Sequence, residues 1–553
     1  MPTLDQDRRW FKHYPSEVSP HLSYPEVPLH MLLRTSAERF PNRIALEFYG
    51  AEYSYAELYE CTQRFAAALH KIGVLHGDRI ALHLPNCPHF VIALYAISQL
   101  GAVAVNCSPF CTVPELSHQI RETESKVWIT WDGFYRQCLS MGQNISGLVS
   151  HTIAADLSTD GIPKGVAEGA LGFEDMVEQT LSIDMNVPFS MDDLLLLQHT
   201  AGTTGQPKAA MLSHRNLLSN VYMAAQWTPL LSQGQETFLC VLPLSHIYSV
   251  TGCLNFGIYM GATLILRNRL TPKEILELIE TYAPTVFFGV PTLYMALGAL
   301  PEAMHCNFSS LKLCISGAAA LPTEVAYRFE ALAKTYLIEG YGLTEASPIS
   351  HMNPLCTLNR KVGSIGLPLP GIDSRIVSEK RQFLSAGEVG ELAISGPSVM
   401  QGYWKPSLED EKCFFIDPEG TCWLLTGDLA YMDDSGYTYI VDRKKDVIIS
   451  NGFTISPREV EEALYTHPYV LESAVIGVPD IQKGEGIKAY VVLSPTQRAT
   501  EAELLGFLKL RLAKYKLPTA IEFIDELPKT FVGKVRRQAL RQRDHAAQGA
   551  LSG

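Results

Sequence analysis

No CxxC pair occurs among the twelve cysteines. The closest two, Cys107 and Cys111, have no second pair to complete a zinc site. Scattered thiols of this kind fit reduced, mostly buried side chains rather than a disulfide framework. Long apolar runs are missing too. The most apolar stretch, residues 90–105, carries Ser98 and Gln99 and is too short to span a bilayer. The opening MPTLDQDRRWFKHYP lacks the apolar core of a signal peptide. The expectation is a soluble, cytoplasmic protein with at most peripheral contact to a membrane surface. Basic charge is in deficit: 45 Lys and Arg stand against 58 Asp and Glu, a net charge of −13. That balance excludes a general nucleic-acid binder, which needs a basic surface. Repeats and low-complexity segments are absent.

What is present is a globular chain of 553 residues, 47% of them hydrophobic, long enough for more than one domain. The segment ALEFYGAEYSYAELYECTQRFAAALHKIG reads as strand, turn, strand and helix. Ser54 and Glu57 form a capping box, and Leu58, Cys61, Phe65 and Leu69 follow as an apolar stripe. DRIALHLPN is a strand, CPHFVIALYAISQLG a buried helix and AVAVNC another strand. The alternation recurs around TFLCVLPL, ATLILR, TVFFGVP and KLCISG, which predicts a parallel sheet covered on both faces. After residue 360 short Gly-punctuated strands predict a small β-barrel or antiparallel sheet. A charged run at 442–446 then leads into a compact α+β unit of about 100 residues. The predicted fold class is therefore α/β: a large amino-terminal domain, 1–441, of layered αβ sheets with a small β-barrel. A smaller, mobile α+β carboxy-terminal domain, 442–553, follows a hinge at about 442–446. The tail HAAQGALSG is expected to fray.

The stretch TAGTTGQPK, residues 200–208, combines two glycines, three threonines and a lysine. Successive backbone N–H groups in such a turn form an anion-binding concavity, the threonine hydroxyls add donors, and Lys208 adds charge. It is not the common phosphate loop, which has four residues between its glycines and a lysine directly after the second. Here two residues separate Gly202 from Gly205, and Lys208 lies three further on. The loop is expected between a strand and a helix.

Further motifs stand in order: PLSHIYS (243–249), SGAAALP (316–322), EGYGLTE (339–345), TGD (426–428), DRKKD (442–446) and LPKTFVGKVRR (527–537). Together with the loop they resemble the adenylate-forming superfamily of acyl-CoA synthetases, firefly-type luciferases and peptide-synthetase adenylation domains. The resemblance runs from about residue 30 to 545 and is nearest in type to bacterial fatty-acid–CoA ligases. It implies that a carboxylic acid is converted by ATP and Mg²⁺ to acyl-AMP, then passed to coenzyme A. A carboxylate is already ionised at neutral pH, so its attack on the α-phosphate needs no general base. It needs positive charge, because two anions must approach.

The resemblance places ATP on Thr200, Ala201, Gly202, Thr203, Thr204, Gly205 and Lys208. Gly317, Ala318 and Ala319, with Glu339, Gly340 and Tyr341, would flank the adenine, and Gly342 and Thr344 continue that wall. Asp428 and Arg443 would hold the ribose. Lys534 is implied as the catalytic lysine, bridging carboxylate and phosphate. Glu345, with Thr200 or Thr203 assisting, would hold Mg²⁺, hard oxygen suiting a hard cation. His246 resembles the histidine beside the acyl carboxylate, and Gly289 would leave room for an alkyl chain. Lys445 is implied as the pivot of the hinge. Ser450, Asn451, Gly452 and Arg269 would face CoA.

The loop departs from the commoner pattern at His199, Ala201 and Ala209, which alters side chains more than spacing. IYSVTGCLNFGIYMGATLIL contains no Asp or Glu, although amino-acid-activating relatives use an acidic residue nearby. An uncharged, apolar acid is therefore implied, and aliphatic Ile449 agrees with fatty-acyl rather than aryl ligases. Loading of an acyl carrier protein, aryl-acid activation, a luciferase-like oxygenase and a non-catalytic lipid- or nucleotide-binding relative are the alternatives. The chain ends soon after Lys534, so no fused carrier domain is expected; a homodimer stays open.

Overall fold

The computed structural model describes residues 8–157, 165–182, 187–200, 207–268, 270–355, 359–407, 412–450, 453–480, 483–494, 497–530 and 533–551. Two large sheets with helices between and around them form the first part of the chain. One has nine strands in the order Leu367–Pro368, Ile349–Met352, Leu337–Gly342, Leu313–Ser316, Val286–Gly289, Thr237–Cys240, Thr263–Leu266, Ile44–Phe48 and Ala51–Ser54. Its central strands are parallel, as the βαβ alternation requires. The other has seven strands, ordered Leu171–Gly172, His151–Ala155, Val127–Trp131, Arg79–Leu82, Val103–Asn106, Leu194–Thr200 and Lys208–Ser213. All its pairings are parallel except the last.

The helix Pro88–Gln99 is buried at every position but His89, consistent with its unbroken apolar face. Helix Tyr55–Lys71 starts at the capping box predicted for it, Ser54 accepting from the Glu57 N–H while Glu57 reaches back. One hydrophobic core joins both sheets across these helices.

Two five-stranded sheets follow. The Gly-punctuated segment forms an antiparallel sheet of Asp373–Val377, Gly390–Ser395, Cys422–Met432 and Phe414–Ile416, with Thr438–Arg443 pairing onto Cys422–Met432. The last sheet contains Phe453–Ile455, Ile448–Ser450, Gly484–Leu493, Val470–Asp480 and Ala520–Phe523, and has its own apolar core with the helices Pro457–Tyr465 and Glu501–Lys509.

Two expectations change. Most of the tail HAAQGALSG is helical: a helix spans Arg537–Leu551, while Ser552 and Gly553 lie outside the described residues. The first half of this helix is tied down, ahead of the tail, by buried Leu540 and by Asp544, which accepts from Lys488 Nζ at 2.7 Å. The Gly/Thr loop leads not into a helix but into the strand Lys208–Ser213. Ala209, Ala210 and Leu212 are buried there, and the helix His214–Trp227 begins only after Ser213, whose side chain caps it. Every described cysteine is an unbridged thiol. Among the described residues no helix is long and apolar enough to cross a membrane.

Candidate active site

The antiparallel pairing of Leu194–Thr200 with Lys208–Ser213 sets Thr200 opposite Lys208. Both ends of the Gly/Thr turn thus meet at the edge of a cavity of about 660 Å³. The turn's Ala201, Gly202, Thr203, Thr204 and Gly205 lie outside the described residues, as do Arg269, Asn451 and Gly452.

The same cavity is lined by His246, Gly317, Thr344, Glu345, Arg443 and Lys534. A second, smaller hollow of about 220 Å³ is lined by Ala319, Glu339 and Asp428. Ala318, Gly340, Tyr341, Gly342, Arg443 and Lys534 border both. Residues spread over more than 330 positions of sequence are therefore gathered at one place.

Backbone shape explains part of this wall. A Cβ at Gly317 would stand 2.9 Å from the ring of Tyr248, and one at Gly342 would collide with the Pro348 carbonyl. Ala318 adopts φ +66°, a left-handed conformation that costs a non-glycine residue energy and clusters at functional sites. Glu339 is buried, with Oε1 accepting from the Leu321 N–H at 3.1 Å. Burial pushes its carboxyl up to about 7, against the pull of the Arg458 guanidinium.

Asp428 is held from two sides. Tyr341 donates its hydroxyl to Oδ2 at 2.6 Å, and Arg443 Nε stands 3.2 Å from Oδ1. Burial and this carboxylate together push the Tyr341 phenol up well beyond its ordinary value. Asp442 closes the strand Thr438–Arg443 onto the following helix. Its Oδ1 accepts from the Arg443 N–H at 2.7 Å, while Oδ2 accepts from Ser456 Oγ at 2.8 Å and the Arg458 N–H at 3.1 Å.

Lys534 comes from the last sheet's neighbourhood yet lines both hollows. Its N–H donates to Thr530 Oγ1 at 3.2 Å. Gly533 has φ +76°, and a Cβ there would lie 2.6 Å from Thr292 Oγ1, so glycine permits this approach. Arg537 donates to both oxygens of Glu461 at 2.7 and 2.8 Å, and Lys529 to Glu472 at 2.7 Å, fixing the segment on either side. Burial, aided by Arg443, lowers the Lys534 ammonium to about 8. Burial and the Lys534 charge lower His246 to about 4, so its imidazole is neutral at pH 7. Its Nδ1 faces the Tyr248 N–H at 3.3 Å.

Three of the expected residues line neither hollow. Gly289 packs under Tyr294, whose ring would stand 2.7 Å from a Cβ there. Lys445 is exposed beside Arg443, while Lys444 reaches Glu391 at 3.0 Å. Ser450 sits in the strand Ile448–Ser450, opposite Gly484. Sequence reading missed Tyr403, whose hydroxyl donates to Glu345 Oε1 at 2.6 Å. It also missed Tyr248, which donates to the Ile315 carbonyl at 3.3 Å. Neither carries charge, and their partners are distant in sequence. Among the described residues no three His, Cys, Asp or Glu side chains are grouped to hold a metal. A divalent cation here fits Glu345 and a nucleotide's own phosphate oxygens, the usual low protein share for Mg²⁺.

Residues 33–404 match the family model described as AMP-binding enzyme, and residues 459–534 that of the AMP-binding enzyme C-terminal domain. The chain is 39% identical over 561 residues to a long-chain-fatty-acid–CoA ligase of Bacillus subtilis (strain 168), covering 98% of this chain and 99% of that protein. It is 35% identical to a feruloyl-CoA synthase of an Amycolatopsis species, covering 92% and 97%. Among solved structures, ATP-bound MatB from Rhodopseudomonas palustris aligns with a TM-score of 0.83 at 29% identity, covering 94% and 99%.

Proposed function

The chain belongs to the AMP-binding enzyme family, and from that membership we propose that it is a fatty-acid–CoA ligase. A carboxylate oxygen of the acid attacks the α-phosphorus of ATP. The bond to the bridging oxygen breaks, and pyrophosphate leaves with its electrons. The CoA thiol, losing its proton, then attacks the acyl carbon, and AMP departs. The observation that carries this reading is the placement of Lys534, His246, Lys208 and Glu345 around one cavity.

Thr200 and Lys208 would bind the β- and γ-phosphates at the mouth of the hairpin. Ala318, Ala319, Glu339 and Tyr341 would flank the adenine, and Asp428 with Arg443 the ribose. Lys534 would stand between the acid and the α-phosphate. A cationic bridge at about 4 Å contributes up to ~4 kcal/mol at an effective dielectric near 20, before desolvation costs. The neutral imidazole of His246, its Nδ1 turned to the Tyr248 N–H, would donate its other ring N–H to the acyl carboxylate without adding a second charge beside Lys534. Mg²⁺ held by Glu345 would neutralise charge on the leaving pyrophosphate.

Ser450 lies outside both hollows while Lys534 lines them, which supports two successive stances of the carboxy-terminal unit, 442–553. In one, Lys534 serves adenylation; after turning about Lys445, the face with Ser450 would meet CoA. Aryl-acid activation is a second reading, favoured by the feruloyl-CoA synthase likeness. An acyl carrier protein in place of CoA would use the same first step.

The test is acid-dependent pyrophosphate release, run from butyrate to stearate with benzoate and ferulate beside them. Release with straight-chain acids, followed by thioester formation on free CoA, supports the proposal. Release with ferulate alone selects the aryl reading, transfer only to a phosphopantetheinyl carrier selects the carrier reading, and no release with any acid overturns the activity.

A further inference from the structure

A turn at 444–446 separates the strand Thr438–Arg443 of the antiparallel sheet from the strand Ile448–Ser450 of the last sheet. Its two ends are held by different parts of the chain. The Lys444 N–H donates to the Gly427 carbonyl at 3.0 Å and its Nζ to Glu391 Oε2 at 3.0 Å, so this end is fixed to the antiparallel sheet. Asp446 is buried and turns instead to the last helix. Its Oδ1 accepts from Arg541 Nη2 at 3.0 Å, and Oδ2 stands 3.8 Å from Arg537 Nη1. Lys445, between the two, is exposed.

The helix Arg537–Leu551, which supplies both guanidinium groups, begins three residues after Lys534. Arg537 is also bound to Glu461, and Leu540 packs with Ala474, Ile476 and Tyr490. We propose that the Asp446–Arg541 pair bolts the turn to the arm that carries Lys534, so that turn and arm move as one lever about Lys445. Arg541 is thus a positioning residue for Lys534. The inference rests on the ligase reading given above.

The physical reason is the order in which the bonds yield. The bonds that cross the pivot are neutral: the Asp446 and Val447 N–H groups both donate to the Arg443 carbonyl, at 2.9 and 3.2 Å. A hydrogen bond between ionised partners is roughly twice as strong as a neutral one, and a buried carboxylate is little screened by salt. When the carboxy-terminal unit turns, the neutral bonds open first and the ion pair stays closed. Rotation is then concentrated at Lys445 instead of spreading toward Val447, and each closure returns Lys534 to the same place. A slack joint would scatter that side chain, and a misplacement of about 1 Å can cost on the order of 10²-fold in rate.

Variants of the full chain test this: Arg541→Met, Arg541→Lys, Asp446→Asn, and Arg541→Met combined with Asp446→Asn. Trypsin cuts after Arg443, Lys444 and Lys445. The rate at each bond, followed by mass spectrometry, reports without any substrate how firmly the turn is held. Arg541→Met and Asp446→Asn should each raise cleavage at 443–445 roughly tenfold, the loss of one hydrogen bond between charged groups. The combined variant should rise no further, because both changes break one interaction. Arg541→Lys should stay near the parent rate. ATP–pyrophosphate exchange should fall by a similar factor in Arg541→Met and recover in Arg541→Lys, with thioester formation from supplied acyl-AMP much less affected. Unchanged cleavage in Arg541→Met overturns the proposal. Cuts rising equally after Arg536 and Arg543 do so too, because they show the whole helix coming away. A combined variant cut roughly a hundredfold faster reveals two independent contacts and overturns it as well. A loosened turn with exchange unmoved removes the link to Lys534. Absence of exchange in the unaltered protein would strike the ligase reading, while cleavage would still decide whether the bolt exists.

Discussion

Nε of Arg443 stands 3.2 Å from Oδ1 of Asp428, the residue directly opposite it on the neighbouring strand. The pair sits where the two hollows meet, with Tyr341 holding the other carboxylate oxygen. Asp428→Asn keeps the shape and removes the charge. The KM for ATP should rise about tenfold, with the KM for the fatty acid nearly unchanged. Exchange assays varying each substrate in turn check this, and a parallel rise in both constants would argue against a ribose contact.

Lys534→Ala should lower adenylation by roughly 10²-fold or more, yet turn over supplied acyl-AMP with CoA. Single-turnover assays of the two half-reactions decide it. Equal damage to both would refute the division of labour.

Lys534 also sets a pH dependence. Its folded-state value, about 8, lies below the ordinary 10.5 because burial and Arg443 disfavour the charge. The ammonium is lost as pH rises through about 8, so exchange should decline above that point. Between there and 10.5 the unfolded chain binds more protons, so this group makes stability rise with pH. Lys534→Met should therefore melt at a higher temperature than the parent at pH 7, and the gap should shrink toward pH 10.5. A lower melting point at pH 7 would show that the charge is not costly where it lies.

His246 works in the opposite range. Burial lowers it to about 4, so it is neutral when folded but protonates near 6.5 when unfolded. Its contribution is whole above 6.5 and disappears as pH falls toward 4. His246→Gln should flatten the acid side of the stability curve, measured by thermal melts across that interval. No exchange-rate limb in the same interval should be removed by this variant.

Glu461 accepts two bonds from Arg537 and one from the Val475 N–H at 2.8 Å. Glu461→Gln removes the two-bond ion pair of Arg537, three residues beyond Lys534, and leaves it only the longer contact to Asp446 at 3.8 Å. Exchange should fall about tenfold with the thioester step much less affected. Comparable losses in the two steps would place Glu461 in general stability instead.

Lys445→Pro stiffens the backbone at the proposed pivot. ATP–pyrophosphate exchange should persist while steady-state thioester release slows. Release at the parent rate would remove position 445 from any hinge.

The layered fold was legible because its signals are local. Apolar residues fill the helix Pro88–Gln99, and the capping box at Ser54 marks the start of the helix Tyr55–Lys71. The strand Lys208–Ser213 was not legible, since KAAMLS alternates weakly and takes its form from pairing with Leu194–Thr200 and from residues 400–404. The continuation of the helix Arg537–Leu551 into the tail was missed for a similar reason. Its small and polar residues suggest a loose tail, but Lys488 reaches back to Asp544 across 56 residues. At the site, charged motifs were readable as motifs. Tyr403 was not, because nothing in GYWKP announces a glutamate 58 residues earlier. Gly289 was read as room for an alkyl chain, whereas the space beside it is taken by the Tyr294 ring, which sequence does not announce.

The two hollows share a wall in which Lys534 takes part. Lys534 faces into both, carried on a segment that only a glycine lets slip past Thr292. On the proposed two-stance reading, withdrawal of that side chain would leave Tyr341 and Arg443 as the nearest polar side chains shared by both chambers. The same withdrawal that ends the first chemical act would thus strip the bound acyl-AMP of its cationic neighbour before the thiol arrives.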